Sequence, residues 1–191
     1  MRKYKKGLIL VVKIGAVLTG AILTALLAHR GIESGELWAA IAAIGLALVP
    51  DILRKLGFKA SLELELAYLL FLIPALILGI ALDGYENCPI FDKIMHLFSG
   101  ALAAFAANEL INSAFKLKKG QGRGFRFLVI VSFVALTAVA WECFEFLHDE
   151  LLNGTMQQLI APGPQDTMWD MIWAMGGGIV AGAVIISTLD K

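Results

Sequence analysis

Charge is what this sequence has least of. Of its 191 residues, 17% are Asp, Glu, Lys or Arg, where a soluble domain carries about 25%. Sixteen basic residues balance sixteen acidic ones, so the formal net charge is zero. That leaves no general basic excess of the kind a nucleic-acid-binding domain presents, and no nucleic-acid partner is expected. There are two cysteines, Cys88 and Cys143, too few to set a disulfide framework. Pairing them would need an oxidising compartment and is not expected. No Pro/Gly/Ser-rich linker, low-complexity tract or fixed-period repeat interrupts the chain, so it reads as one domain, 1–191. Nor do its long apolar runs read as strands, because apolar residues run on well past strand length.

What the chain has instead is apolar length. It is 59% hydrophobic, with a mean hydropathy of +0.78. A bilayer core of about 30 Å takes about 20 helical residues. Six runs reach or approach that length: 7–28, 36–53, 62–82, 92–115, 126–148 and 167–188. The expected fold is therefore all-α and membrane-embedded, a bundle of six transmembrane helices. The first run follows the basic segment MRKYKK, but it is too long for a signal peptide. Leu26 and Ala28 also make a poor cleavage site, so a retained helix is expected. Pro50 and Asp51 are expected to end the second helix and Pro74 to bend the third.

The few charges are arranged by side. With the N-terminus placed inside, the inner segments hold Arg2, Lys3, Lys5 and Lys6, then Arg54, Lys55 and Lys59, then Lys116, Lys118, Lys119, Arg123 and Arg126, then Lys191. The outer segments hold Arg30 and Lys93. Thirteen basic residues against two is a strong positive-inside signal, and it places both termini in the cytoplasm.

That topology gathers the remaining polar residues at one leaflet. FDKIMHLFSG, 91–100, opens the fourth run with Asp92 and His96 at i, i+4. WECFEFLHDE, 141–150, closes the fifth with Glu142 and Glu145 at i, i+3. QDTMWDM, 165–171, opens the sixth with Asp166 and Asp170 at i, i+4. Residues three or four apart share a helix face, so each helix carries its own acidic or His stripe. A charged residue inside a bilayer is costly and normally faces a bundle interior or a wet cavity. The stripes are therefore expected to face one another, with a cation among them.

The chain's own cations near that leaflet are Lys93, His96, His148 and Arg30. A divalent ion such as Zn, Mg or Mn would serve better, because carboxylates with imidazole form a common ligand set for such ions. On this reading His96, Glu142, Asp166 and Asp170 hold the metal. Glu145 acts as general base, and Asp92 orients His96. Asp149 is read as a hydrated interfacial residue, and Asn108, Glu109 and Asn112 as structural polar groups near the basic loop. Gly100, Gly176, Gly177 and the pair Gly178 and Gly182 are expected to let the fourth and sixth helices approach closely.

Three blocks together, Asp92-Lys93-x-x-His96-x-x-x-Gly100, Glu142-x-x-Glu145, and Asp166-Thr167-x-x-Asp170-Met171 with a glycine-rich helix after it, resemble the uncharacterised YjdF-like inner-membrane proteins. A looser similarity extends to VanZ-like proteins, whose namesake is linked to teicoplanin resistance. Those usually carry an Asn where this chain has Ala174 and Met175. The resemblance implies a small multi-pass protein of the prokaryotic cytoplasmic (inner) membrane, and it names no reaction.

Three functions fit these residues. One is a divalent-metal-dependent hydrolase or transferase acting on a lipid or lipid-linked envelope substrate, its site facing the extracytoplasmic side. Another is a cation- or proton-binding transport protein, and the third is a membrane scaffold fixed by a buried polar network. Membrane lipids are the expected partners, and the residues set no oligomeric state.

Overall fold

The computed structural model describes residues 2–29, 37, 41, 44–58, 60–75, 78–79, 84–115, 122–153, 156–157 and 164–189. Among the described residues the chain is helical and contains no strand. The elements are α1 (Arg2–His29), α2 (Val49–Lys55), α3 (Leu62–Pro74), α4 (Gly84–Asn87), α5 (Pro89–Phe115), α6 (Arg123–Leu152) and α7 (Gln165–Thr188). Among the described residues four helices are long and apolar enough to cross a membrane: Lys6–His29, Ile90–Ala114, Arg123–Leu152 and Gln165–Thr188.

The first, fourth, fifth and sixth apolar runs are therefore long helices. Most of the second run lies outside the described residues. Its described residues 44–47 are helical and break at Leu48, beside Pro50 as expected, but a new short helix, α2, then runs to Lys55 with Pro50 in its first turn. Proline lacks an N–H and has a helical φ, so the first turn is the one helical position where it costs little. The third run is an α-helix to Pro74, after Ser61 accepts a hydrogen bond from the Leu64 amide at 3.1 Å as N-cap. Beyond Pro74 the described residues 75, 78 and 79 take wider, π-type turns.

Burial is inverted relative to a water-soluble protein. Leu10, Val11, Ile22, Leu128, Leu136, Val180 and many other large apolar residues are exposed, whereas Glu65, His96, Arg126, Glu142, Glu145, His148 and Asp170 are buried. On α6 the buried set Glu142, Glu145 and His148 recurs every three residues, with Phe144, Phe146 and Leu147 on the exposed side. A helix that hides its charges and displays its aromatic and aliphatic residues is built for an apolar solvent.

The residues group into two compact units. The first comprises Met1–Phe91 with Phe144–Gln158, and the second Asp92–Cys143 with Leu159–Lys191. In the first, α1 packs on α3 around Ile9, Ala16, Ala47, Leu69 and Leu72. A closed ionic network ties this unit together. Lys13 Nζ reaches Asp51 Oδ2 at 2.7 Å and Glu65 Oε1 at 2.9 Å, and Arg54 reaches the other oxygen of each carboxylate.

In the second unit Ala104, Ala107 and Ile111 of α5, Ile130 and Val134 of α6, and Ala181 and Ile185 of α7 form the core. Glycines set the helix spacing. A Cβ on Gly100 would collide with the Ala174 carbonyl, and one on Gly177 with the Leu97 carbonyl, so α5 and α7 touch backbone to backbone. Gly178 and Gly182 differ from expectation, for they face Val134, Phe127 and Ile130 of α6 rather than α5. Residues four apart lie on one helix face, and the face next to Gly177 points at a different neighbour.

Candidate metal centre

Above that glycine contact, in the second unit, α5 supplies Asp92, Lys93 and His96, α6 supplies Glu142, and α7 supplies Asp166, Thr167 and Asp170. The close approach of α5 and α7 makes side chains one or two turns away converge. Five of the six candidate residues named from sequence meet here: Asp92, His96, Glu142, Asp166 and Asp170.

Lys93 is the internal cation. Its ammonium hydrogen-bonds an Asp166 oxygen, lies 3.2 Å from Asp92 Oδ2 and 2.7 Å from Asp170 Oδ1. The Asp170 contact is a buried ion pair. Asp170 is 2% exposed.

His96 is the other anchor. Its Nε2 lies 3.5 Å from Asp92 Oδ1 and 3.8 Å from Asp170 Oδ1. Its Nδ1 lies 3.9 Å from Glu142 Oε1, a buried oxygen with no hydrogen-bond partner. A Thr167 hydrogen bond reaches the Glu142 side chain. The imidazole thus has two aspartates on one nitrogen and one glutamate on the other, all too far for strong hydrogen bonds.

One ligating atom from each of Asp92, His96 and Asp170 falls within 4.8 Å of the other two. Tetrahedral ligands about 2.1 Å from a zinc-sized ion stand about 3.4 Å apart. The His96 separations of 3.5 and 3.8 Å approach that spacing. Charge points the same way. With every carboxylate ionised, Asp92, Glu142, Asp166 and Asp170 face one ammonium and one imidazole. Even with both cationic, the surplus equals the charge of one divalent cation.

Glu145 lies in the first unit, buried on α6 one turn beyond Glu142. The same unit holds a pairing not foreseen from sequence. Asp149 accepts hydrogen bonds from the Met156 and Gln157 amides, each at 2.7 Å, and its Oδ1 lies 3.1 Å from His148 Nδ1. Asp149 is therefore not simply a hydrated interfacial residue, because it ties the described part of the following loop to the end of α6. Thr167 and Lys93 are the other site groups underweighted from sequence. Thr167 stands between two acidic positions of the third motif, and Lys93 follows Asp92 directly. Cys88 and Cys143 are both free and exposed.

The family model described as predicted membrane protein (DUF2238) matches residues 12–191. No curated protein and no solved structure matches the chain. With the match covering nearly its whole length, the chain belongs to this family of predicted membrane proteins.

Proposed function

We propose that this family member binds one divalent metal ion through Asp92, His96 and Asp170 and uses it as a hydrolase or transferase on a lipid or lipid-linked envelope substrate. The observation that carries the proposal is the three-atom convergence on His96 Nε2 in a buried site with surplus negative charge. A bound divalent cation would polarise a phosphoryl or carbonyl oxygen, or lower the pKa of a water.

The geometry favours a different division of labour from the one read in sequence. Asp92 and Asp170 share the His96 Nε2 side and suit ligation. Glu142 lies on the Nδ1 side, 3.9 Å away, and suits an orienting role as the carboxylate that would accept from Nδ1 and leave Nε2 free for the metal. Asp166 is taken by Lys93 and serves to place that ammonium beside the substrate oxygens. Glu145, in the first unit, is given no role at this centre.

The uneven distribution of basic residues supports an extracytoplasmic site with both termini inside. The resemblance of the three motif blocks to YjdF-like and VanZ-like proteins supports the cytoplasmic membrane of a prokaryote. A second reading has its own observation: Lys93 already links α5 to α7 through Asp166, as it would in a purely structural network. Thermal unfolding in detergent separates the two. Chelator-treated wild type should gain stability on addition of zinc or manganese, and His96→Ala and Asp170→Asn should lose that response. An unchanged response in both variants would reject the metal reading.

A further inference from the structure

The opposite end of the second unit holds another buried charge, and its hydrogen-bond partners among the described residues are neutral. Arg126, in the first turns of α6, is 2% exposed. Its Nη1 donates to Asn108 Oδ1 at 2.6 Å and to Asn112 Oδ1 at 2.7 Å. Both acceptors are neutral carboxamides, and no acidic side chain pairs with Arg126 among the described residues. The segment joining α5 to α6, 116–121, contains no Asp or Glu. Arginine cannot shed its proton to escape burial.

Which edge of the guanidinium is left over decides what it can bind. The two asparagines consume Nη1, and Arg126 Nε is buried without an acceptor. The edge formed by Nε and Nη2 is one of the two-donor forks that grip a phosphate or carboxylate bidentately. The helix dipole adds to the same field. Arg126 sits at the positive end of α6, whose first turn has no acidic residue. A 30-residue helix is about 45 Å long and overhangs a hydrocarbon core of about 30 Å. That surplus length lets an end of the helix reach the depth of lipid phosphates, and the basic residues about its start mark that end as an interfacial one.

We propose that Arg126, held by Asn108 and Asn112, is a binding site for a phosphate oxyanion, supplied by the headgroup of an anionic phospholipid. It is independent of the metal centre and stands or falls separately.

The test is thermal unfolding of the full chain in uncharged detergent. Phosphatidylglycerol, phosphatidylcholine and inorganic phosphate are titrated separately at constant ionic strength. Phosphatidylglycerol should raise the wild-type midpoint by on the order of 5 °C. Arg126→Gln should abolish that rise. Asn108→Asp places a carboxylate on the guanidinium inside the protein, so it should raise the midpoint without lipid and, by cancelling the charge, weaken the lipid response. A response to inorganic phosphate alone would keep the oxyanion site and reassign its source to a free phosphate. No response to either anion, or a full response in Asn108→Asp, would overturn the proposal.

Discussion

Lys93 Nζ lies 2.7 Å from Asp170 Oδ1, and that same oxygen lies 3.8 Å from His96 Nε2. One aspartate oxygen is thus shared by the chain's own cation and by the nitrogen best placed to ligate a foreign one. The ammonium lowers the repulsion among the carboxylates without removing it.

Replacing Lys93 with Met tests that division. Leaving buried carboxylates without their cation typically costs about 3–5 kcal/mol, so metal-free Lys93→Met should unfold at a markedly lower temperature than wild type. Added manganese or zinc should then recover more stability in the variant than in wild type, because the site has gained a negative charge. A midpoint lowered in the variant and indifferent to metal would instead mark a purely structural network.

The glycine contact that holds the site together makes a sharper steric prediction. Gly100→Ala and Gly177→Ala each drive a methyl into a backbone carbonyl of the facing helix. Overpacking of this kind costs about 1–3 kcal/mol or more, and both variants should lose thermal stability. Gly176→Ala is the control, since its nearest atom is a leucine methyl 4.0 Å away. Its unfolding midpoint should match wild type.

In the first unit, Lys13→Met should strand Glu65, which is 2% exposed, with only Arg54 for compensation. A loss of about 3 kcal/mol is expected. The double variant Lys13→Met with Glu65→Leu should recover part of it, because two apolar groups replace a pair whose burial was costly. A double-mutant cycle on unfolding midpoints reads the coupling directly.

Much of this arrangement was legible from the residues alone, for a physical reason. Polar groups are so costly in an apolar solvent that Asp92, His96, Glu142, Asp166 and Asp170 had few places to be other than facing one another. Helix length was legible for the same cause, since runs such as 92–115 and 167–188 have to span. What was not legible depended on direction around a helix. Spacing showed that Asp92 and Glu142 belong near His96, but not which imidazole nitrogen each would face. Nor did the motif Gly178-x-x-x-Gly182 reveal that its neighbour is α6. Pro50 marked the break at Leu48 but not the short helix that starts there, because proline ends one helix and starts another equally well. Lys13 stood in the middle of the first apolar run with its partners, Asp51 and Glu65, far away in the chain.

The central claim is that Asp92, His96 and Asp170 hold a metal, and metal content measures it most directly. Protein purified without chelator and analysed by inductively coupled plasma mass spectrometry should carry about one divalent ion per chain, as a single-ion site requires. His96→Ala and Asp170→Asn, folded by the same criteria, should carry almost none. Wild-type protein that holds no ion, and takes none up from a zinc or manganese titration followed by calorimetry, would contradict the account.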